Sequence, residues 1–120
     1  MRVWIDLSNS PHVPLMEPVV AALEQRGDDV VLSARDHAQT LPLAQRLWPD
    51  ITVIGEASPG GRAAKLANVV GRARKLRAFR TQIAPHVALS HGSYAQVLAC
   101  AGSRVPAVTA RSTRRSNSGL

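Results

Sequence analysis

Two short polar loops hold the side chains best suited to chemistry. The first reads Ser8-Asn9-Ser10-Pro11-His12 and the second Ser90-His91-Gly92-Ser93. Each follows an apolar run and leads into a helical pattern. Hydroxyls and backbone N–H groups are thereby gathered where a helix begins, a setting that suits an anion or a hydroxyl-bearing ligand. His12 and His91 are the candidate catalytic groups, because imidazole exchanges protons near neutral pH. Ser8, Asn9, Ser10 and His12 from one loop, and Ser90, His91, Gly92 and Ser93 from the other, form the candidate substrate-binding set. The plainer alternative is that Ser10 and Ser93 cap helices and His12 sits at the surface.

A third loop, Ser58-Pro59-Gly60-Gly61-Arg62, has Lys65 one turn further on. Gly60, Gly61, Arg62 and Lys65 are a candidate anion cradle, with an ordinary flexible loop as the alternative. The pattern is not a Walker A loop, and G-x-G-x-x-G and G-x-S-x-G are both absent, so neither a dinucleotide nor a nucleophile elbow is expected. No metal is expected either: His37 and His86 lie in other elements, and nothing with ligand spacing joins His12 and His91. Asp6, inside an apolar strand, is a carboxylate that either orders the first loop or points into the crevice. Cys100 falls on an apolar helical stretch and reads as packing.

The elements that position these loops follow from periodicity. Strands are expected over residues 3–7, 30–34, 51–54, 87–89 and 105–108. Helices are expected over 13–26, 38–47, 62–84 and 94–101, with Gly27 closing the first. In the long third helix the apolar residues before Gly71 (Ala63, Leu66, Val70) and after it (Ala73, Leu76, Phe79, Ile83) lie on displaced faces, which predicts a kink or two helices there. Alternating strands and helices imply an α/β fold: a doubly wound, five-stranded parallel sheet of order 3-2-1-4-5 with helices on both faces, a three-layer sandwich. The topological switch then lies between strands 1 and 4, where the two serine- and histidine-bearing loops face each other.

The chain of 120 residues is 45% hydrophobic but only 3% aromatic, so its core must be built from Val, Leu, Ile and Ala. All 8 acidic residues lie at or before Glu56, where they outnumber four arginines. The remainder carries eleven Lys and Arg and no acid. That asymmetry points to an acidic partner for the second half. Residues 1–109 read as one domain and 110–120 as a basic, Ser/Arg-rich disordered tail. One cysteine, no signal-peptide pattern and no apolar run near the ~20 residues that span a bilayer give a cytoplasmic protein, with any membrane contact peripheral.

Three segments resemble a known family: MRVWIDLSNSPHVPLMEPVV at 1–20, SARDHAQT at 33–40 and HVALSHGSYAQVLACA at 86–101. They look like the start of the prokaryotic family known as domain of unknown function 354 (DUF354). That family is similar to the GT-B glycosyltransferases and to UDP-N-acetylglucosamine 2-epimerase. A proline-marked first helix ending in Leu23 to Gly27, and Val105-Pro106-Ala107-Val108 after helix 4, fit the epimerase-like pattern. The resemblance implies a Rossmann-like N-terminal half of a GT-B fold. In GT-B proteins that half mainly binds acceptor, and a C-terminal half binds the nucleotide sugar. No cofactor is therefore expected on this chain.

The leading expectation is an acceptor-side domain, a fragment inactive alone. Its partners would be a C-terminal GT-B domain or a second copy, and a phosphorylated acceptor or an anionic membrane surface. One alternative is a basic module that binds anions or nucleic acid through residues 62–84 and the tail. Scarce aromatics and the absence of a recognised motif count against specific nucleic-acid binding. The other alternative is a small self-associating α/β protein, since strand 5 would be an exposed edge.

Overall fold

A computed structural model of the chain describes residues 1–8, 12–36, 40–56 and 61–110. The elements run β1 (Arg2–Leu7), α1 (His12–Gln25), β2 (Asp29–Asp36), α2 (Thr40–Leu47), β3 (Thr52–Glu56), α3 (Arg62–Ile83), β4 (Val87–His91), α4 (Tyr94–Cys100) and β5 (Ala107–Ala110). The strands form one sheet of order β3-β2-β1-β4-β5, and every neighbouring pair is parallel. This is the expected doubly wound arrangement.

Strand alternation divides the core in two. Val3, Ile5 and Leu7 point to one face of β1, where they pack with Val13, Met16 and Val20 of α1 and Ala44 of α2. Trp4 points to the other face and packs with Ala73 and Leu76 of α3 and Ala95, Ala99 and Cys100 of α4. Asp6 shares the Trp4 face by the same period of two. A carboxylate therefore lies in the core, at the end of the central strand.

Helix α1 stops where expected. Gly27 takes φ 87, which lets the Asp28 N–H reach back to the Leu23 carbonyl at 3.0 Å. Such left-handed caps favour glycine because a Cβ would crowd the backbone. Pro18 stays inside α1, where it offers no backbone donor.

Three expectations shift. First, β2 continues through Arg35 and Asp36 rather than turning there, because Asp36 still pairs with Glu56 beyond a register irregularity. Second, β5 begins at Ala107; Pro106 has no N–H, but its carbonyl accepts from Ala88 N at 2.9 Å. Third, α3 is one continuous helix through Gly71, not two. Leu66 and Val70 are 66% and 48% exposed, so the displaced first stripe never enters the core and the helix need not break to bury it. The proposed tail, except Ala110 in β5, lies outside the described residues.

Candidate functional site

The centre of the site is the buried Asp6 carboxylate. Its Oδ1 accepts from Ser33 Oγ and from Arg72 Nη2, each at 2.7 Å. Its Oδ2 accepts from Arg72 Nη1 at 2.7 Å and from Ser93 Oγ. Four donors use the full acceptor capacity of a carboxylate. Both charges are out of water, with Asp6 0% and Arg72 4% exposed. A buried charge is tolerated when it is paired and hydrogen-bonded in this way.

The three donor residues come from different elements, so the carboxylate ties the fold together. Ser33 stands opposite Asp6 in the β1–β2 ladder, and its hydroxyl also accepts from Trp4 Nε1 at 2.9 Å. Ser93 caps α4, where its Oγ accepts from Gln96 N. Arg72 extends from α3 and gives its Nε to the Ile54 carbonyl at 2.7 Å. Among the described residues Asp6 thus orders the second loop and α3.

Gly55 makes room for this guanidinium. Its φ is +90, and a Cβ there would lie 2.7 Å from Arg72 Cδ and 2.9 Å from Nε. The arginine cannot swing away without losing Asp6. Gly55→Ala should therefore cost about 1–2 kcal/mol from the left-handed backbone alone, and more from the displaced ion pair. The check is the urea midpoint, which should fall clearly below that of the parent protein.

Above the network, at the carboxyl ends of the strands, is a crevice of about 220 Å³. It is lined by Ser8 after β1, Arg35 on β2, Asn68, Val69 and Arg72 on α3, and residues 92–95 around the start of α4. This is the switch point where β1's two neighbours lead to opposite sides. Ser8, Gly92 and Ser93 of the expected set reach it. Ser90 does not line it: its Oγ donates to Thr109 Oγ1 at 3.1 Å and accepts from Ser93 N at 3.3 Å, holding β4, β5 and the loop together. His91 ends β4 and is not among the lining residues. Asn9, Ser10 and Gly60 lie outside the described residues, as does the His12 side chain. Gly61, Arg62 and Lys65 are exposed at the start of α3 and do not line the crevice.

Arg35, Asn68, Arg72 and Tyr94 are site residues that the loop motifs do not indicate. Burial, and then the charge of Arg72, push the Arg35 guanidinium below its usual value, while Asp6 draws it back up. Asn68 Oδ1 is buried with no hydrogen-bond partner among the described residues. On the far side of α4, burial pushes the Cys100 thiol up, consistent with a packing role.

A second cavity, about 490 Å³, opens elsewhere, between Glu24, the middle of β2 and residues 47–52. Among the described residues no cluster of His, Cys, Asp or Glu could hold a metal ion, and no helix is long and apolar enough to cross a membrane.

A family model described as "Protein of unknown function (DUF354)" matches residues 1–113. No curated protein matches the chain. Among solved structures, UDP-GlcNAc 2-epimerase from Neisseria meningitidis, bound to UDP-GlcNAc, superposes with a TM-score of 0.69 at 17% identity, over 91% of this chain and 32% of that one. The glycosyltransferase VinC, in complex with dTDP, gives a TM-score of 0.68 at 18% identity, over 92% of this chain and 34% of that one. The C-terminal domain of a Pyrococcus furiosus hydrogenase gives 0.60 at 14% identity, over 90% of this chain and 89% of that one. Such identities establish the fold alone. The chain spans about a third of the length of the epimerase and the glycosyltransferase.

Proposed function

The chain belongs to the family described as Protein of unknown function (DUF354), and from that membership we propose that it is the N-terminal, acceptor-side domain of a GT-B-like protein that uses a nucleotide sugar. The observation that carries the reading is the crevice at the β1/β4 switch point, built from four elements and held by the Asp6–Arg72 pair. Likeness to about a third of an epimerase and of a glycosyltransferase supports it. A crevice at the carboxyl edge of an open α/β sheet is where such folds bind ligands.

On this reading Ser8, Arg35, Asn68 and Tyr94 contact the acceptor. Asp6, Arg72 and Ser93 are positioning residues, since their polar atoms are committed to one another. A second α/β domain closes the crevice and carries the nucleotide sugar. The 120-residue chain by itself turns over no sugar nucleotide, because half of the reacting pair has no binding surface. The test is an assay of the purified chain with UDP-GlcNAc and with dTDP-glucose. Absence of turnover that appears on adding the second domain supports the reading; detectable turnover by the chain alone overturns it.

A further inference from the structure

We propose that the solvent-facing side of α3 docks on an anionic lipid surface, with Leu66 and Val70 entering the headgroup layer and Arg74 and Arg77 holding lipid phosphates. This goes beyond the acceptor-side reading and does not depend on it.

Helix α3 carries seven cations and no acid. Arg72 is committed to the core through Asp6, and Arg80 is half-buried. Arg62, Lys65, Arg74, Lys75 and Arg77 are exposed. Among the described residues none of these five forms an ion pair. After Glu56 the chain has no acid at all, so nothing in this half repels an anionic leaflet.

Packing fixes which side of the helix faces out. Val69, Ala73, Leu76 and Phe79 pack inward around Trp4. Leu66, Val70, Arg74 and Arg77 follow one another at steps of four, four and three residues, so they share a single stripe. That stripe points away from the core, with Leu66 66% and Val70 48% exposed. Aliphatic side chains on one stretch of a stripe and guanidiniums on the next suit a helix lying in a membrane interface. The apolar groups enter it and the cations meet anionic headgroups. The contact is with the surface, since among the described residues no helix is long and apolar enough to cross a membrane. Nucleic acid fits this stripe less well. Phe79, the one aromatic residue of α3, is turned edge-on to Trp4, so the stripe offers bases nothing to stack on.

The test is co-sedimentation of the purified chain with vesicles of phosphatidylcholine, alone or with about one-third phosphatidylglycerol. Binding should require the anionic lipid. Arg74→Gln with Arg77→Gln should weaken it roughly tenfold to thirtyfold at low salt. Arg26→Gln with Arg46→Gln removes the same charge from α1 and α2, on the opposite face of the sheet, and should change it little. Leu66→Ser with Val70→Ser keeps every charge and should still weaken binding severalfold. Leu66→Trp gives a direct readout: its added emission should shift to the blue on anionic vesicles. Equal losses in the two arginine pairs show diffuse charge and overturn the proposal. So does an unshifted Leu66→Trp emission, or serine variants that bind like the parent. Displacement of the chain from vesicles by a stoichiometric RNA oligonucleotide overturns it in favour of nucleic acid. None of these outcomes bears on sugar-nucleotide turnover, so the acceptor-side reading stands or falls separately.

Discussion

Asp6→Asn is expected to lower the unfolding free energy by about 3–5 kcal/mol, because it leaves the Arg72 charge buried without its counterion. Domains of this size are stable by about 5–15 kcal/mol in total, so the variant should be near the edge of folding. The loss measures a broken pair and not the worth of the pair. Desolvating both charges offsets much of their attraction, and apolar replacements of similar shape are often tolerated. The double variant Asp6→Leu with Arg72→Met should therefore be more stable than Asp6→Asn. Its recovery will be incomplete, since Ser33 and Ser93 lose their acceptor. Denaturant unfolding of the singles and the double, combined as a cycle, gives the coupling directly. A double variant less stable than either single would show that the network, rather than charge pairing, dominates.

Trp4→Ala should cost a similar amount, about 3–5 kcal/mol. The indole is 0% exposed and meets Phe79 edge-on, with ring centroids 5.9 Å apart. The other buried residues of this cluster are alanines, Leu76 and Cys100, too small to fill the void. Trp4→Phe separates volume from hydrogen bonding. It keeps a ring against α3 but removes the Nε1 donor to Ser33, and should cost about 0.5–1.5 kcal/mol for that bond, plus a smaller packing loss. Thermal melting of both variants checks the ranking. Equal losses would mean that the hydrogen bond, not the packing, holds Trp4 in place.

Much of this architecture is legible in the residue pattern. Alternation of apolar runs with helical stretches gives the strand order, and the order gives the crevice, because a doubly wound sheet has one switch point. The loops at Ser8 and Ser93 were visible as helix entries. The partners of Asp6 were harder to see, since Arg72 lies 66 positions away. A signal existed nonetheless. Arg72 interrupts the i+3/i+4 series Val69, Leu76, Phe79, Ile83, just as Asp6 interrupts Val3 to Leu7. Two charges on two core faces must find each other or fail to be buried.

Arg35 carries a weaker signal, because the polar residues after Ala34 read as the end of a strand. Alternation from Ser33 would have carried it to the crevice. Asn68 has no sequence signal, because only the packing of α3 beside α4 decides that its carboxamide faces inward. The long third helix misled for the opposite reason: periodicity assumes that every apolar residue seeks the core, and Leu66 and Val70 do not.

The central claim is that ligands bind at the carboxyl edge of the sheet, over the Asp6–Arg72 pair. The most direct test is amide chemical-shift mapping of the isotope-labelled chain during titration with glucose 6-phosphate and with glucose. The account predicts saturable shifts at Ser8, Arg35, Asn68, Gly92 and Tyr94, residues far apart in sequence and joined only by the crevice. Shifts confined to Trp48, Asp50 and Thr52 around the second cavity, or to the exposed residues of α3, would contradict it.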